Sequence, residues 1–208
     1  DSFESPGCRS VMSLTPELPA ATAIEIRTDP YLVPANPLSQ RLRRGLWGLA
    51  YAVLFRPSPR PLFAWRAAIL RTFGARLGAD SRIYPGARIF APWHLECEDV
   101  VAIADGAVIY NPSRMQLGSH AIVSQEAYLC GATHDCDDPS FPLVARDITI
   151  GRYAWICARA TVLPGVRVED GAVLGLGSVA TANLAAWSVS AGIPARKIRD
   201  RKRNDGAN

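Results

Sequence analysis

The sequence predicts an all-β coil of short strands and tight corners, preceded by a small α-helical segment and followed by a short basic tail. Three observations carry that expectation. The chain of 208 residues is 49% hydrophobic, enough to bury a core, yet it holds 16 glycines and 16 prolines, a turn-rich composition unlike that of a helical bundle. Helical spacing of apolar residues is confined to one stretch of the N-terminal third. Beyond it, aliphatic residues recur every six positions, which matches neither the helical period of about 3.6 nor the alternation of a simple strand.

In chain order, residues 1–37 are rich in proline and show little periodicity, which predicts an extended arm. Met12 is a candidate start, and residues 1–11 would then be upstream sequence. Residues 38–76 read as a basic amphipathic helical segment. From Leu38 to Phe55, the positions Leu42, Leu46, Leu49 and Val53 recur at helical spacing. Pro57, Pro59 and Pro61 break that helix, and the last suits the first position of another. Leu62, Trp65, Ile69 and Phe73 form one face of the second helix, which Gly74 and Gly78 end.

Between Pro30 and Ala79 there are eight arginines and no acidic residue. Two roles fit them. They could cap the open end of the coil, which otherwise exposes unpaired strand edges. They could also lie on an anionic bilayer, with Trp47, Tyr51, Phe55 and Trp65 at the interface. Capping is the favoured role, with peripheral membrane contact as a second one. No nucleic-acid partner is expected, because no recognised binding motif accompanies the charge.

Residues 77–193 carry the period of six. From Ile150 the chain divides into IGRYAW, ICARAT, VLPGVR, VEDGAV, LGLGSV, ATANLA and AWSVSA. The first position is aliphatic or alanine, and the fifth is mostly small. Earlier blocks agree: LGADSR, IYPGAR, IADGAV, LGSHAI and VSQEAY. Each block supplies a short strand, a tight corner and one inward-pointing residue. The register slips between Leu95 and Ile103 and again between Ile109 and Leu117. Residues 194–208 form a basic tail in which Arg196, Lys197, Arg199, Arg201, Lys202 and Arg203 surround Asp200.

Five cysteines without paired spacing point to a reducing compartment rather than a disulfide scaffold. No run reaches the roughly 18 apolar residues of a membrane span, and the start lacks the layout of a secretion signal. The expected location is cytoplasmic, with a peripheral role at the inner face of the membrane.

After LCGATH the sixes stop, and they resume near Ile148, so Thr133–Asp147 should project from the coil. That stretch holds His134, Asp135, Cys136, Asp137 and Asp138. A solvated loop, a metal site and a catalytic site all fit its composition. The spacing of Cys130, His134 and Cys136 matches no zinc pair, so no metal is expected. His94 has no motif behind it, and His120 falls at an outward position. Phe141 and Pro142 are expected to pack the loop back onto the coil.

The blocks, the preface PSPRPLFAWRAAILRTFGARLG, the loop THDCDDPSFPL and the terminal GIPARKIR resemble the hexapeptide-repeat transferases. They are most similar to the colanic-acid biosynthesis branch of acetyltransferases in that family. The resemblance covers residues 77–199. It implies a left-handed parallel β-helix of triangular section, a homotrimer with active sites between subunits, and acetyl-CoA as acyl donor. The acceptor it implies is a hydroxyl of a saccharide or lipid-linked glycan. His134 matches the family's general base.

Asp135 either orients that ring or caps the loop. Asn111, in YNPSR, either reaches a substrate hydroxyl or makes an Asn-Pro turn. Trp155 is placed to wall the thioester end. Ala158 and Leu176 fall where the family uses backbone amides along the pantetheine arm. Thr181 matches a residue near the nucleotide, and Arg196, helped by Arg199 and Lys197, a basic residue directed at the phosphates. Ala182 departs from the lysine often found after that threonine. The alternative is a non-catalytic scaffold that binds a partner through its basic surfaces.

Overall fold

Each six folds as a strand of two or three residues followed by a corner, and the strands stack into three parallel faces. The computed structural model describes residues 38–202; the expected arm over 1–37, with Met12 and Cys8, and the last tail residues, 203–208, lie outside them. The first face holds Arg76–Leu77, Leu95–Cys97, Met115–Leu117, Ile148–Ile150 and Arg167–Val168. The second runs from Arg82–Ile83 through Ala102–Ile103, Ile122–Val123, Trp155–Ile156 and Val173–Leu174 to Ser188–Gly192. The third holds Arg88–Ile89, Val108–Tyr110, Tyr128–Cys130, Thr161–Val162 and Val179–Ala180. This is the β-solenoid that the period of six requires.

The core lies inside the triangle. In-register columns such as Ile83, Ile103, Val123, Ile156 and Leu174 point inward and are buried. Burying each such side chain contributes about 1.5–3 kcal/mol. The small fifth position sits at the corner, where Ala87, Ala107, Ala127, Ala154, Ala160 and Ala172 have no exposed surface. A larger side chain there would fill space needed by the turning chain. The glycine that follows an aliphatic residue has its own reason: a Cβ on Gly151 would stand 2.6 Å from the amide nitrogen of Asp170 on the next coil.

The register slips have a physical cause. On the first face, Leu95–Cys97, Met115–Leu117 and Ile148–Ile150 each bury two residues and leave the middle one half-buried. These strands carry a local period of two inside the period of six. The coils from Ile83 to Ile103 and from Ile103 to Val123 are therefore twenty residues long. The coil from Ile156 to Leu174 keeps three full sixes, eighteen residues.

The helical segment caps the coil. Its elements are α1 (Leu38–Ala50), a π-helical turn over Tyr51–Phe55, and α2 (Phe63–Thr72). Within the coil, carbonyls such as Cys97, Ile103 and Ile109 accept N–H groups from the preceding coil. The first coil has no predecessor, so Leu77, Ile83 and Ile89 would leave one carbonyl unpaired on each face. Arg71 donates to Leu77 (2.9 Å), Arg66 Nε to Ile83 (2.6 Å) and Trp47 Nε1 to Ile89 (2.7 Å). Each face thus receives one side-chain donor. Arg66 is fully buried, and its remaining nitrogens bond Ser58 Oγ and the carbonyls of Pro59 and Arg60.

Two features go beyond the sequence reading. The leucine row of α1 is not the packed face: Leu42, Leu46, Leu49 and Val53 are exposed, while Trp47 and Phe55 are buried and Tyr51 is half-buried. The aromatic row wins because Trp47 supplies both apolar area and the N–H that Ile89 needs, and Phe55 packs 5.9 Å from its ring. The basic tail, given no secondary structure from the sequence, is ordered through residue 200. Ala195–Asp200 is a strand lying antiparallel on Ser188–Gly192. Arg201 then ties the chain to the carbonyls of Tyr153 (2.8 Å) and Gly171 (3.0 Å).

Candidate active site

The projection after the third face is a β-hairpin. Ala132–His134 pairs antiparallel with Leu143–Ala145, setting His134 opposite Leu143. His134 therefore stands on the hairpin itself, not at the end of a regular coil. Its Nδ1 lies 2.7 Å from the carbonyl oxygen of Phe141. A carbonyl can only accept, so Nδ1 carries the proton and the neutral ring keeps its lone pair on Nε2. Phe141 adopts a φ of +48°, a left-handed conformation that a phenylalanine seldom takes. Its ring sits 6.1 Å from the imidazole, and both it and Pro142 are exposed rather than packed back onto the coil.

Two carboxylates of the loop, Asp135 and Asp138, serve its own turns. The Asp135 N–H donates to Pro142 (3.1 Å), and its carboxylate accepts the N–H of Asp137 (3.1 Å). Asp135 is thus the loop cap; the orienting bond to the imidazole comes from the Phe141 backbone. Asp138 accepts both the N–H and the hydroxyl of Ser140 (2.8 and 2.7 Å), which hold its carboxyl below the usual range.

His134 and Leu143 form one wall of a cleft of about 320 Å³. Phe90, Trp93, His94, Tyr110 and Pro112 line it as well, together with Gln40 and Arg44 of α1. Phe90 meets Tyr110 edge-on at 4.8 Å, and the Arg44 guanidinium lies 4.0 Å over Phe90. His94 Nδ1 is held 3.2 Å from the Asn111 carbonyl. The Asn111 side chain is fully buried, accepting the Ala91 N–H (3.0 Å) and donating to the Ala91 carbonyl (2.8 Å). Both ends of its amide are used in joining two coils. His94, Gln40 and Arg44 were not singled out from the sequence. The available signals were the non-repeating APWH and YNPSR inserts, and the one-turn spacing of Gln40 and Arg44.

The residues assigned to the donor side lie elsewhere. Trp155 is on the second face with its indole 43% exposed and its N–H on Ser124 Oγ (2.8 Å). Ala158 and Leu176 stand one coil apart on the corner between the second and third faces, where Gly177 N–H bonds the Ala158 carbonyl (3.0 Å). Leu176 is 75% exposed. Thr181 is exposed just after the third-face strand Val179–Ala180, and Ala182 beside it is exposed too. Arg196 and Arg199 lie on the tail strand opposite Ala191 and Val189, both exposed, each bonding a nearby backbone carbonyl at 3.1 Å. Lys197 pairs with Asp200 at 2.6 Å. His134 follows the third face, whereas Ala158 and Leu176 precede it. One chain does not bring them together.

Among the described residues, no group of three His, Cys, Asp or Glu converges as a metal site, and the Cys130 thiol bonds the Ala132 carbonyl (3.2 Å). No described helix is long and apolar enough to cross a membrane.

No family model matches the chain. It is 37% identical over 156 residues to WcaF of Escherichia coli (strain K12), named as a colanic acid biosynthesis acetyltransferase; the match covers 75% of this chain and 86% of that protein. It is 32% identical over 122 residues to the galactoside O-acetyltransferase of the same strain, covering 58% and 55%. Among solved structures, a hexapeptide-repeat acetyltransferase of Vibrio cholerae O1 biovar eltor, complexed with acetyl coenzyme A, superposes with a TM-score of 0.73 at 20% identity, over 82% of this chain and 93% of that one. A galactoside acetyltransferase in complex with coenzyme A gives 0.72 at 20% identity, over 80% and 84%.

Proposed function

The chain belongs to the hexapeptide-repeat acetyltransferases, and from that premise we propose that it moves an acetyl group from acetyl-CoA to a hydroxyl of a saccharide or lipid-linked glycan, with His134 as general base. The observation that carries this reading is the imidazole clamped through Nδ1 to the Phe141 carbonyl in the wall of a cleft. That clamp leaves Nε2 as the acceptor for a proton. The acceptor hydroxyl gives its proton to Nε2 as its oxygen attacks the thioester carbon. Backbone N–H groups stabilise the oxyanion that forms. As the carbon–sulfur bond breaks, the imidazolium returns the proton to sulfur, so coenzyme A leaves as the thiol and the base is regenerated.

We assign the acceptor to the cleft of Gln40, Arg44, His94 and Tyr110, and the pantetheine arm to the corner of Ala158 and Leu176, walled by Trp155. Thr181, Arg196 and Arg199 face the nucleotide in this reading. Because base and donor corner stand apart in one chain, the site forms between neighbouring copies of a homotrimer. The four described cysteines are free, which suits the reducing cytoplasm. Release of free thiol from acetyl-CoA, measured across a panel of saccharides, tests the reading. Release that depends on the saccharide is expected. No release with any acceptor would favour a non-catalytic scaffold.

A further inference from the structure

We propose that the outward row of α1, with the arginines around it, is a docking surface for an anionic lipid bilayer. Leu38, Leu42, Leu46, Leu49 and Val53 follow one another at one-turn spacing and are 67, 62, 63, 64 and 60% exposed. Beside them is a shallow, almost wholly apolar groove of about 410 Å³, which Leu54 and Phe73 help line. Isolated exposed leucines are ordinary; a continuous row on one helix is an interaction surface.

Charge identifies the occupant. Among the described residues, Arg41, Arg43 and Arg56 have no carboxylate within ion-pair distance, although Arg60 pairs with Asp105 and Arg76 with Glu96. No acidic residue lies between Pro30 and Ala79 to offset them. A second copy meeting this face through a twofold axis would bring the same three cations against these, which opposes association. Anionic headgroups complement them, at about 1 kcal/mol for each arginine near the surface. No described helix is long and apolar enough to cross a bilayer, so α1 lies in the plane of the interface with its leucines among the acyl chains.

The opposite side of the same helix sends Gln40 and Arg44 into the His134 cleft. A docked α1 sets the acceptor cleft beside the lipid surface, where a lipid-linked saccharide would present its sugar. This consequence rests on the proposed function; the docking itself does not.

The test is co-sedimentation of the full chain with phosphatidylcholine vesicles, with and without phosphatidylglycerol, over a salt series. Wild-type protein should bind the phosphatidylglycerol vesicles and release them as salt rises. The double variant Leu46→Glu/Leu49→Glu should bind about tenfold less or weaker still. Its circular dichroism, its mass in sedimentation and its acetyl transfer to a water-soluble sugar should match wild type. Absence of wild-type binding to phosphatidylglycerol vesicles, or equal binding by the variant, overturns the proposal. So does a fall in the variant's mass, which would make the row a contact between copies. Failure of acetyl transfer with every acceptor would count against the enzyme reading and leave the vesicle result standing.

Discussion

The proposed base needs its lone pair in the right place, and the Phe141 carbonyl decides which nitrogen of His134 holds it. His134 was legible because it lies in the long polar stretch where the repeat stops. Its partner was not: the Phe141 carbonyl has no side-chain signature, whereas the adjacent Asp135 drew attention and turns out to cap the loop. Asn111 followed the same pattern, a polar residue in an irregular turn whose amide closes on Ala91. His134→Ala should lower turnover roughly 10²–10⁴-fold in steady-state assays, with unfolding midpoints near wild type. Asp135→Asn should keep turnover near wild type, since an amide oxygen can still accept the Asp137 N–H. Nitrogen-15 spectra of the neutral His134 ring should report the Nδ1–H tautomer; the Nε2–H form would remove its role as a base.

The strands were readable from a period of six, but the packed face of α1 was not. Leucines and aromatics form two rows on that helix, and both satisfy helical spacing. What separates them is the Ile89 carbonyl at the open coil edge, a long-range requirement absent from local sequence. Trp47→Phe keeps most of the ring packing and removes that donor, so denaturant unfolding should show a loss of about 1–3 kcal/mol. Leu42→Ser, on the exposed row, should change stability by no more than about 0.5 kcal/mol. Equal losses would mean that the leucine row packs in solution. The hairpin carrying His134 was expected only as a projecting loop, because its strands are three residues long and pair only with each other.

At the scale of the molecule, coils are joined by side chains as well as by strands. Glu98 accepts the N–H and hydroxyl of Ser119 (both 2.9 Å) and pairs with Arg152 (3.1 Å), which together hold its carboxyl below the ordinary glutamate value of 4.5. Glu96 is lowered likewise, first by its bond to Arg114 (2.5 Å). A carboxyl lowered on folding stabilises fully above its unfolded value and stops doing so as the pH falls through the folded one. Thermal midpoints should therefore decline as the pH drops below 4.5, and less steeply in Glu98→Gln. The triangular coil was legible in outline; that His134 and the Ala158–Leu176 pair stand at different corners was not, because corner identity depends on the two-residue slips of the first face. The proposed sharing of the site between neighbouring copies is the central claim and has a direct test. Subunits carrying His134→Ala and subunits carrying Ala158→Trp, each inactive alone, are co-assembled and assayed for acetyl transfer from acetyl-CoA. Recovery of activity in the hybrids is predicted, since some sites then pair an intact base with an intact donor corner from a neighbour. Hybrids as inactive as either parent would contradict it.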